Sequence, residues 1–187
     1  MLILIRHTES EHNVKRVFDS NINSKSHLTE KGVEDMEKTS LKIRDYLDSN
    51  SSKVDRIFCS PILRTVECTR IFKDVMKDND LYNDDRFCID YRLREIEMGE
   101  FDNKSVLDYP YGEWNFNFND EIGGENTQMV KVRSNDFLNS LNNFNINVAI
   151  THGEIFRRIY NILINDDIKP KKGEIVIIEN KKVIFQK

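Results

Sequence analysis

The sequence predicts an α/β fold, a three-layer α/β/α sandwich in which helices cover both faces of a mostly parallel central sheet. Short apolar runs of strand length recur along the chain, and amphipathic segments of helical length separate them. Two of these runs, 1–5 and 147–151, pass directly into polar residues that include a histidine. At 187 residues the chain is long enough for one sizeable core, so we expect a single domain over 1–187.

The composition is that of a globular protein with no overall bias toward nucleic acid or membranes. Hydrophobic residues make up 39% and charged residues 32%, and the formal net charge is -4. The N-terminal apolar run is too short for a signal-peptide core or a transmembrane span, so we expect a cytoplasmic protein. The three cysteines lack metal-ligand spacing, which argues against a disulfide framework or a zinc site.

Strand and helix signals alternate in the order expected of β–α units. Apolar runs predict strands at 1–5, 54–59, 87–90, 147–151, 174–179 and 182–185, the last two as a hairpin. Helical periodicity predicts helices at 33–47, 61–76, 127–141 and 154–164. Thr29 is the candidate N-cap of the first helix, while Ser60 and Pro61 predict the N-cap and first residue of the second. The polar stretch 8–26 has neither period and is expected to be a long loop.

An insertion at about 100–125 is expected to cover one side of a pocket. It contains the irregular aromatic segment 109–118, which opens with a turn at 109–112 and includes the only tryptophan, Trp114. A small aromatic core packed under a long loop would explain the same residues equally well. The sequence leaves both interpretations open.

Four polar residues are expected to meet at one edge of the sheet, because ligands bind at the carboxyl ends of parallel strands. They are Arg6, His7, Arg64 and His152, with Glu95 on a nearby loop. Two converging guanidinium groups form a pocket for a tetrahedral oxyanion such as phosphate, although a carboxylate would also fit. A neutral histidine beside this pocket can attack phosphorus, and the second can hydrogen-bond the oxygens of the transition state.

A carboxylic acid is also needed, to protonate the leaving alkoxide and later to take a proton from water. Glu95 is the candidate for this role. Because the arginines supply the positive charge and no carboxylate cluster of metal-binding type is evident, we expect neither a metal nor a cofactor.

The motif Arg6-His7-Thr8-Glu9-Ser10, with Asn13 beyond it, resembles the Arg-His-Gly-Glu-Ser motif of the histidine phosphatase superfamily, the phosphoglycerate-mutase-like enzymes. Further blocks follow in the order of that family, at 28–32, 60–65, 93–99, 123–126 and 151–153. Five ordered blocks make a specific signal, whereas an Arg-His pair alone would not.

This resemblance implies a role for each matched residue. His7 would become transiently phosphorylated, Arg6, Arg64 and His152 would hold the phosphoryl group, and Glu95 would be the proton donor. Asn13 matches a family asparagine near the substrate phosphate. Two further residues of the matched blocks, Ser10 and Gly153, are additional candidates for substrate binding.

Two positions depart from the family pattern. Thr8 replaces the usual glycine, so the backbone there must have a negative φ, and its Cβ is expected to crowd the mouth of the pocket. Asn103 stands where relatives often have glycine. Neither change removes a catalytic group.

Other residues that could be taken for functional ones have simpler interpretations. We interpret His12 and His27 as solvated loop histidines. The charged residues Arg133, Arg157 and Arg158 lie on expected helices and are interpreted as surface charges or ion-pair partners. Glu97 and Glu100 flank Glu95, which is preferred because the family block registers on Leu93 and Gly99.

The sequence favours a phosphomonoesterase acting on a small phosphorylated metabolite over three alternatives: a phosphoglycerate-mutase-like isomerase, a phosphoprotein phosphatase and an inactive phospholigand-binding module. Mutases hold a doubly anionic substrate with extra basic residues from the insertion, but 100–125 contains one base, Lys104, against seven acidic residues. The expected partner is therefore a small phosphorylated substrate rather than nucleic acid or a membrane. The oligomeric state is left open.

Overall fold

The computed structural model describes residues 1–82, 84, 87–112, 114–142 and 145–187. In this part of the chain six strands form one sheet: β1 (Leu2–Arg6), β2 (Arg56–Cys59), β3 (Cys88–Ile89), β4 (Asn147–Thr151), β5 (Ile175–Glu179) and β6 (Lys182–Gln186). Their spatial order is β3-β2-β4-β1-β5-β6. The first four strands of that order are parallel, whereas the β5–β6 hairpin joins β1 in the antiparallel sense.

Helices cover both faces of this sheet. They are α1 (Glu11–Lys15), α2 (Glu30–Ser49), α3 (Leu63–Asp78), α4 (Thr127–Asn139) and α5 (Gly153–Ile164). Alternate residues of β1 enter two separate cores, since successive side chains of a strand point to opposite faces. Ile3 and Ile5 pack in the core that α2 and α3 share, while Leu2 and Leu4 pack in the core of α4 and α5. The mixed α/β sandwich is therefore as the sequence predicts.

The helix starts follow the expected chemistry at one site and depart from it at another. The Thr29 side chain accepts a hydrogen bond from Gly32 N at 3.0 Å and caps α2 as predicted. The prediction of Ser60 as an N-cap is wrong, because α3 begins at Leu63 with Ile62 in the capping position. Ser60 instead continues the strand pairing, its backbone N–H donating to Ile150 O at 3.2 Å.

The prediction that 8–26 is wholly a loop is wrong, because this stretch contains α1. This helix of five residues is too short to show a sequence period, and it ends at Arg16, whose φ of 54° is left-handed. Inside it, Asn13 Oδ1 accepts a hydrogen bond from Ser10 N at 3.2 Å. The rest of the stretch is tied to the insertion, since Phe18 exchanges backbone hydrogen bonds with Asn103 and Lys104.

The insertion consists of short 3₁₀ turns, at Gly99–Phe101, Val106–Asp108 and Asn119–Ile122, around an aromatic cluster. Tyr109 is at its centre, with four ring contacts at centroid distances of 5.4–5.8 Å, to Phe18, Phe101, Tyr111 and Phe116. The small aromatic core is thus present, and the same segment also lines a cavity. Glu113 lies outside the described residues, as do Asn83, Asp85 and Arg86 of the loop after α3.

The two departures from the family motif are accommodated differently. Asn103 has a φ of 63°, a left-handed conformation that asparagine tolerates better than most residues. Thr8 does not crowd the pocket, contrary to expectation, because its hydroxyl donates to Gly32 O at 2.6 Å and turns the fully buried side chain toward α2. Among the described residues, no helix is long and apolar enough to cross a membrane.

Candidate active site

Two adjacent parallel strands deliver His7 and His152 to the same point. Arg6 at the end of β1 pairs with Thr151 at the end of β4, and His7 N donates to Thr151 O at 2.9 Å. The next residue of each strand end is a histidine, and the two ring centroids lie 5.1 Å apart. Both side chains are buried. The sheet register therefore fixes the distance between the histidines.

Arg64, near the start of α3, donates to both rings. Its Nε lies 3.1 Å from His7 Nε2, and its Nη2 lies 3.1 Å from His152 Nδ1. An arginine can only donate, so both of these ring nitrogens carry a lone pair. The protons are on the other nitrogens: His7 Nδ1–H donates to Thr8 O at 2.6 Å, and His152 Nε2–H donates to Ser60 Oγ at 2.7 Å. Of the two ring nitrogens of His7, Nε2 is thus the one whose lone pair could attack an electrophile.

The charges around the two rings keep them neutral. The pKa of His7 is lowered well below 6.5, first by burial and then by the positive charges of Arg64 and Arg6. Burial, followed by Arg64 and His7, lowers the pKa of His152 in the same way. Since a protonated imidazole has no free lone pair, the depressed pKa holds His7 in the form that can attack an electrophile.

These buried histidines are expected to make the protein less stable in acid. In the unfolded chain each has a pKa near 6.5, above its value in the folded protein, so below pH 6.5 the unfolded state binds more protons. The free energy of unfolding should therefore fall as pH is lowered through this range. Urea unfolding of the wild type and of His152→Gln at pH 7 and pH 5 measures the effect. The variant should lose less stability between the two values, and an equal loss would contradict the assignment.

Arg6 offers a hydrogen-bond donor to whatever occupies the site. Its Nη1 donates to Pro170 O at 2.5 Å, and its guanidinium lies 5.6 Å from the ring centroid of Trp114. The Nε atom is buried and has no hydrogen-bond partner among the described residues. A buried donor without a partner is costly, so Arg6 Nε is a candidate donor to a ligand that accepts hydrogen bonds beside His7.

Of the three neighbouring glutamates, Glu95 is the one that faces the site. It lines the cavity next to Arg6 and His7 and is half-buried, with its Oε1 accepting a hydrogen bond from Ile96 N at 3.0 Å. Glu97 is exposed and its carboxylate pairs with Arg94 at 3.0 Å. Glu100 is also exposed and lies outside the cavity lining.

A buried ion pair supports the Glu95 loop, which the sequence did not reveal. Arg133 pairs with Glu125 at 2.8 Å and donates to the backbone carbonyls of Arg92, Arg94 and Glu95 at 2.6–3.3 Å. Arg133 is an ion-pair partner, one of the two roles expected for it, but it is buried rather than at the surface. It holds the backbone that carries the candidate acid.

Asp19 is a second residue that the sequence did not single out. Its Oδ2 accepts from Arg64 Nη1 at 2.6 Å and from Ser24 Oγ at 2.8 Å, and its backbone carbonyl accepts from Arg64 Nη2 at 2.8 Å. The side chain is 4% exposed. Asp19 therefore fixes the orientation of Arg64. Nothing in the polar stretch 8–26 distinguishes this carboxylate from its neighbours before the chain is folded.

The remaining sequence candidates divide between the cavity and its surroundings. Asn13 and Gly153 line the cavity, whereas Ser10 is buried at the N-cap of α1 and does not. His12, expected to be a solvated loop residue, also lines the cavity, with its Nδ1 2.9 Å from Asp19 Oδ2. His27 is exposed, and its Nδ1 lies 2.6 Å from Glu67 Oε1.

The site opens into a cavity of about 460 Å³ whose lining combines two kinds of residue. Charged and polar residues are the first kind: Arg6, His7, His12, Asn13, Arg16, Asp19, Arg64, Glu95, Glu154 and Lys172. Apolar and aromatic residues are the second: Val17, Phe18, Ile96, Met98, Val106, Leu107, Tyr109, Trp114 and Phe116. The volume is that of a typical small-molecule site.

Glu154 is a third carboxylate of the cavity lining, beside Asp19 and Glu95. It is 2% exposed. Its Oε1 lies 2.6 Å from Arg158 Nε, and its Oε2 lies 3.6 Å from Arg157 Nη1. Burial raises its pKa to about 7, even though Arg158 and Arg157 act in the opposite direction. Close to neutral pH, a fraction of Glu154 is therefore protonated, which lessens the negative charge of the cavity.

Residues 2–183 match the sequence model of a protein family, the histidine phosphatase superfamily (branch 1). The chain belongs to this superfamily. Membership indicates an enzyme of the phosphatase or mutase type and agrees with the histidine pair and Arg64 described above. A comparison with curated protein sequences gives no match.

Solved structures of the superfamily share the fold over nearly the whole chain. The protein TTHB049 from Thermus thermophilus has a TM-score of 0.71 at 18% identity, covering 99% of this chain and 97% of its own. The α-ribazole phosphatase from Shigella flexneri has a TM-score of 0.72 at 19% identity, covering 97% and 92%. For YhfR from Bacillus stearothermophilus the TM-score is 0.73 at 20% identity, covering 97% and 93%. At such identities the likeness shows the fold alone.

Proposed function

We propose that the protein is a phosphomonoesterase that hydrolyses a small phosphorylated metabolite through a phosphohistidine intermediate on His7. The observation that carries this proposal is the neutral, buried His7 ring, whose Nε2 lone pair faces Arg64 Nε at 3.1 Å. The unpartnered Nε of Arg6 supplies a second donor for the same phosphoryl group. The structural likeness to an α-ribazole phosphatase gives further support for a phosphatase.

In the first step, His7 Nε2 attacks phosphorus and the bond from phosphorus to the ester oxygen breaks. Glu95 gives its proton to the departing alkoxide, so the alcohol leaves neutral. Arg64 Nε no longer has a lone pair to bind on His7 and turns its hydrogen bond to a phosphoryl oxygen. The phosphoryl charge raises the pKa of His152, whose Nδ1 can then take up a proton and become a donor.

In the second step, a water molecule attacks the phosphorus of phosphohistidine while Glu95, now ionised, takes the proton of that water. The N–P bond breaks, its electron pair returns to His7 Nε2, and inorganic phosphate is released. Asp19 accepts the 2.6 Å hydrogen bond from Arg64 Nη1 in both steps, while the Nε hydrogen bond of the arginine changes its acceptor.

The alternative is a mutase, in which the phosphoryl group returns to a rebound organic acid before water attacks. Arg16 and Lys172 line the cavity and could hold a second anion. Arg16 is exposed, however, and Lys172 already has Glu9 as a partner at 3.6 Å. Lys172 is exposed as well, so neither base is fixed in place for a second anion. The cavity therefore favours a substrate with one phosphate, and hence hydrolysis.

A substrate screen separates the two functions. The purified protein is incubated with 3-phosphoglycerate, fructose 2,6-bisphosphate and an aryl phosphate, and phosphate release and isomerisation are scored independently. The proposal expects phosphate release from the aryl phosphate and no isomerisation of 3-phosphoglycerate. Isomerisation faster than phosphate release would establish the mutase, and neither reaction on any compound of a broader phosphate-ester panel would overturn the enzyme proposal.

Activity is also expected to survive chelators. The guanidinium groups of Arg6 and Arg64 stand where a metal would otherwise neutralise the phosphoryl charge, so the proposed steps need no divalent ion. Phosphate release is measured before and after dialysis against EDTA, and the rates should agree. A complete loss that magnesium restores would contradict this role of the arginines.

A further inference from the structure

Nine apolar or aromatic residues line the cavity beside the charged ones. Four of them are aromatic: Phe18, Tyr109, Trp114 and Phe116. Any part of the substrate that extends from the phosphoryl group against these side chains leaves water for an apolar surface. A sugar or a carboxylate would lose its hydration there without recovering hydrogen bonds.

Trp114 is an aromatic residue of this lining that contacts Arg6. Its ring centroid is 5.6 Å from the Arg6 guanidinium and 5.9 Å from that of Arg157. Gly153 allows this approach, because a Cβ at that position would lie 2.8 Å from Trp114 Cη2. The tryptophan thus lies beside Arg6 and belongs to the apolar part of the lining.

Arg157 holds Trp114 in this position. Its Nη1 donates to Trp114 O at 3.0 Å, while its Nε and Nη2 form a two-pronged ion pair with Asp167 at 2.6 and 2.5 Å. Trp114 has a φ of 66°, a conformation that residues other than glycine seldom adopt. Since an isolated chain would leave this conformation, the contacts with Arg157 and Arg6 maintain it.

We propose that the substrate is the phosphate monoester of an alcohol that carries an aromatic ring, and that this ring packs against Trp114. In this proposal Trp114 determines specificity, and Arg157 is a positioning residue that acts through it. The apolar lining residues offer no positive charge to a second phosphate or a carboxylate on the substrate. This inference rests on the proposed phosphomonoesterase function and narrows its substrate class.

The test uses two alkyl phosphates whose leaving groups differ in the ring and little in basicity, 2-phenylethyl phosphate and propyl phosphate. Because both need the same help from a general acid, the ratio of their kcat/KM values reports binding of the ring. The wild type should favour the phenylethyl ester by about 10-fold or more. Trp114→Ala should reduce this ratio to a few-fold, chiefly through a higher KM for the phenylethyl ester.

Arg157→Gln should lower the same ratio through KM for the phenylethyl ester, with kcat changed less. Arg158→Gln is its matched control, since Arg158 shares the partner Glu154 but not the hydrogen bond to Trp114 O, and its ratio should equal that of the wild type. Thermal melting shows whether each variant is folded. Tryptophan fluorescence, from the single Trp114, should shift to the red in Arg157→Gln and not in Arg158→Gln.

The outcomes separate this inference from the function on which it rests. If the wild type hydrolyses both esters at equal kcat/KM, the substrate class is wrong and the phosphomonoesterase stands. If it hydrolyses neither and His7 is not phosphorylated by any ester tested, the function itself fails. A folded Trp114→Ala variant that keeps the wild-type ratio overturns the role of the tryptophan, and equal ratios in the two arginine variants overturn that of Arg157.

Discussion

His7→Ala is expected to lower turnover by about 10³-fold or more, because the nitrogen that accepts the phosphoryl group is removed. The fold should persist, since His152 and Asp19 still accept hydrogen bonds from Arg64 at 3.1 and 2.6 Å. The measurement is steady-state phosphate release, with thermal melting as a check on folding.

His27→Ala provides the matched control for this variant. His27 is exposed, lies outside the cavity lining and has Glu67 as its partner, so its loss should leave turnover unchanged. A folded His7→Ala protein that retained a tenth of the wild-type rate would rule out the covalent route, since direct attack by water would then account for much of the activity.

Glu95→Gln is expected to slow hydrolysis of alkyl phosphates by about 10²-fold or more, yet to slow the first step with p-nitrophenyl phosphate much less. An alkoxide of high pKa cannot depart unprotonated, whereas an aryl oxide of low pKa nearly can. Water attack on phosphohistidine needs the same residue as base, so the variant should accumulate phosphoenzyme on the aryl substrate. Single-turnover kinetics with both substrates separate the two steps.

The neighbouring glutamates provide controls for Glu95. Glu97 pairs with Arg94 and Glu100 lies outside the cavity lining, so Glu97→Gln and Glu100→Gln should show no dependence on the leaving group. Equal losses on alkyl and aryl esters in Glu95→Gln would mean that it is not the acid. Glu154, which lines the same cavity and whose pKa burial raises to about 7, would be the first alternative to examine.

Much of the sheet and the histidine pair could be predicted from the sequence, because both depend on short-range signals. The buried runs ending in Arg6 and Thr151 have the length and composition of parallel strands, and parallel strands bring their carboxyl ends to one edge. His7 and His152 are therefore expected at the same edge, and the pairing of β1 with β4 in the structure makes them neighbours. Arg64 follows, since it lies near the start of the helix after the adjacent strand, β2.

The supporting residues could not be predicted, because their roles arise from contacts between distant parts of the chain. Asp19 reaches Arg64 across 45 positions, and Arg133 reaches the Glu95 loop across 38. The prediction that the Thr8 side chain crowds the pocket was wrong, because the orientation of this side chain depends on the Gly32 carbonyl in α2. Helix α1 could not be predicted, because five residues are too few to show a helical period of hydrophobic residues.

The position of Trp114 was open for a similar reason. An aromatic segment predicts burial without saying against what, and both the small aromatic core and the cavity wall are present in the insertion. Arg157, interpreted from the sequence as a surface charge or an ion-pair partner, donates to Trp114 O at 3.0 Å and holds the tryptophan at the cavity. Its ion pair with Asp167 joins α5 to the segment that follows it and fixes the donor to Trp114 O.

The most direct test of the central claim is to trap and locate the phosphoryl group. Glu95→Gln is mixed with p-nitrophenyl phosphate, quenched in base within the first turnover, and digested for mass spectrometry of its peptides. The account predicts one phosphoryl group per chain, on His7, stable in base and lost in acid, and absent from the double variant His7→Ala, Glu95→Gln. A phosphoryl group on any other residue, or none during a turnover that releases p-nitrophenol, would contradict it.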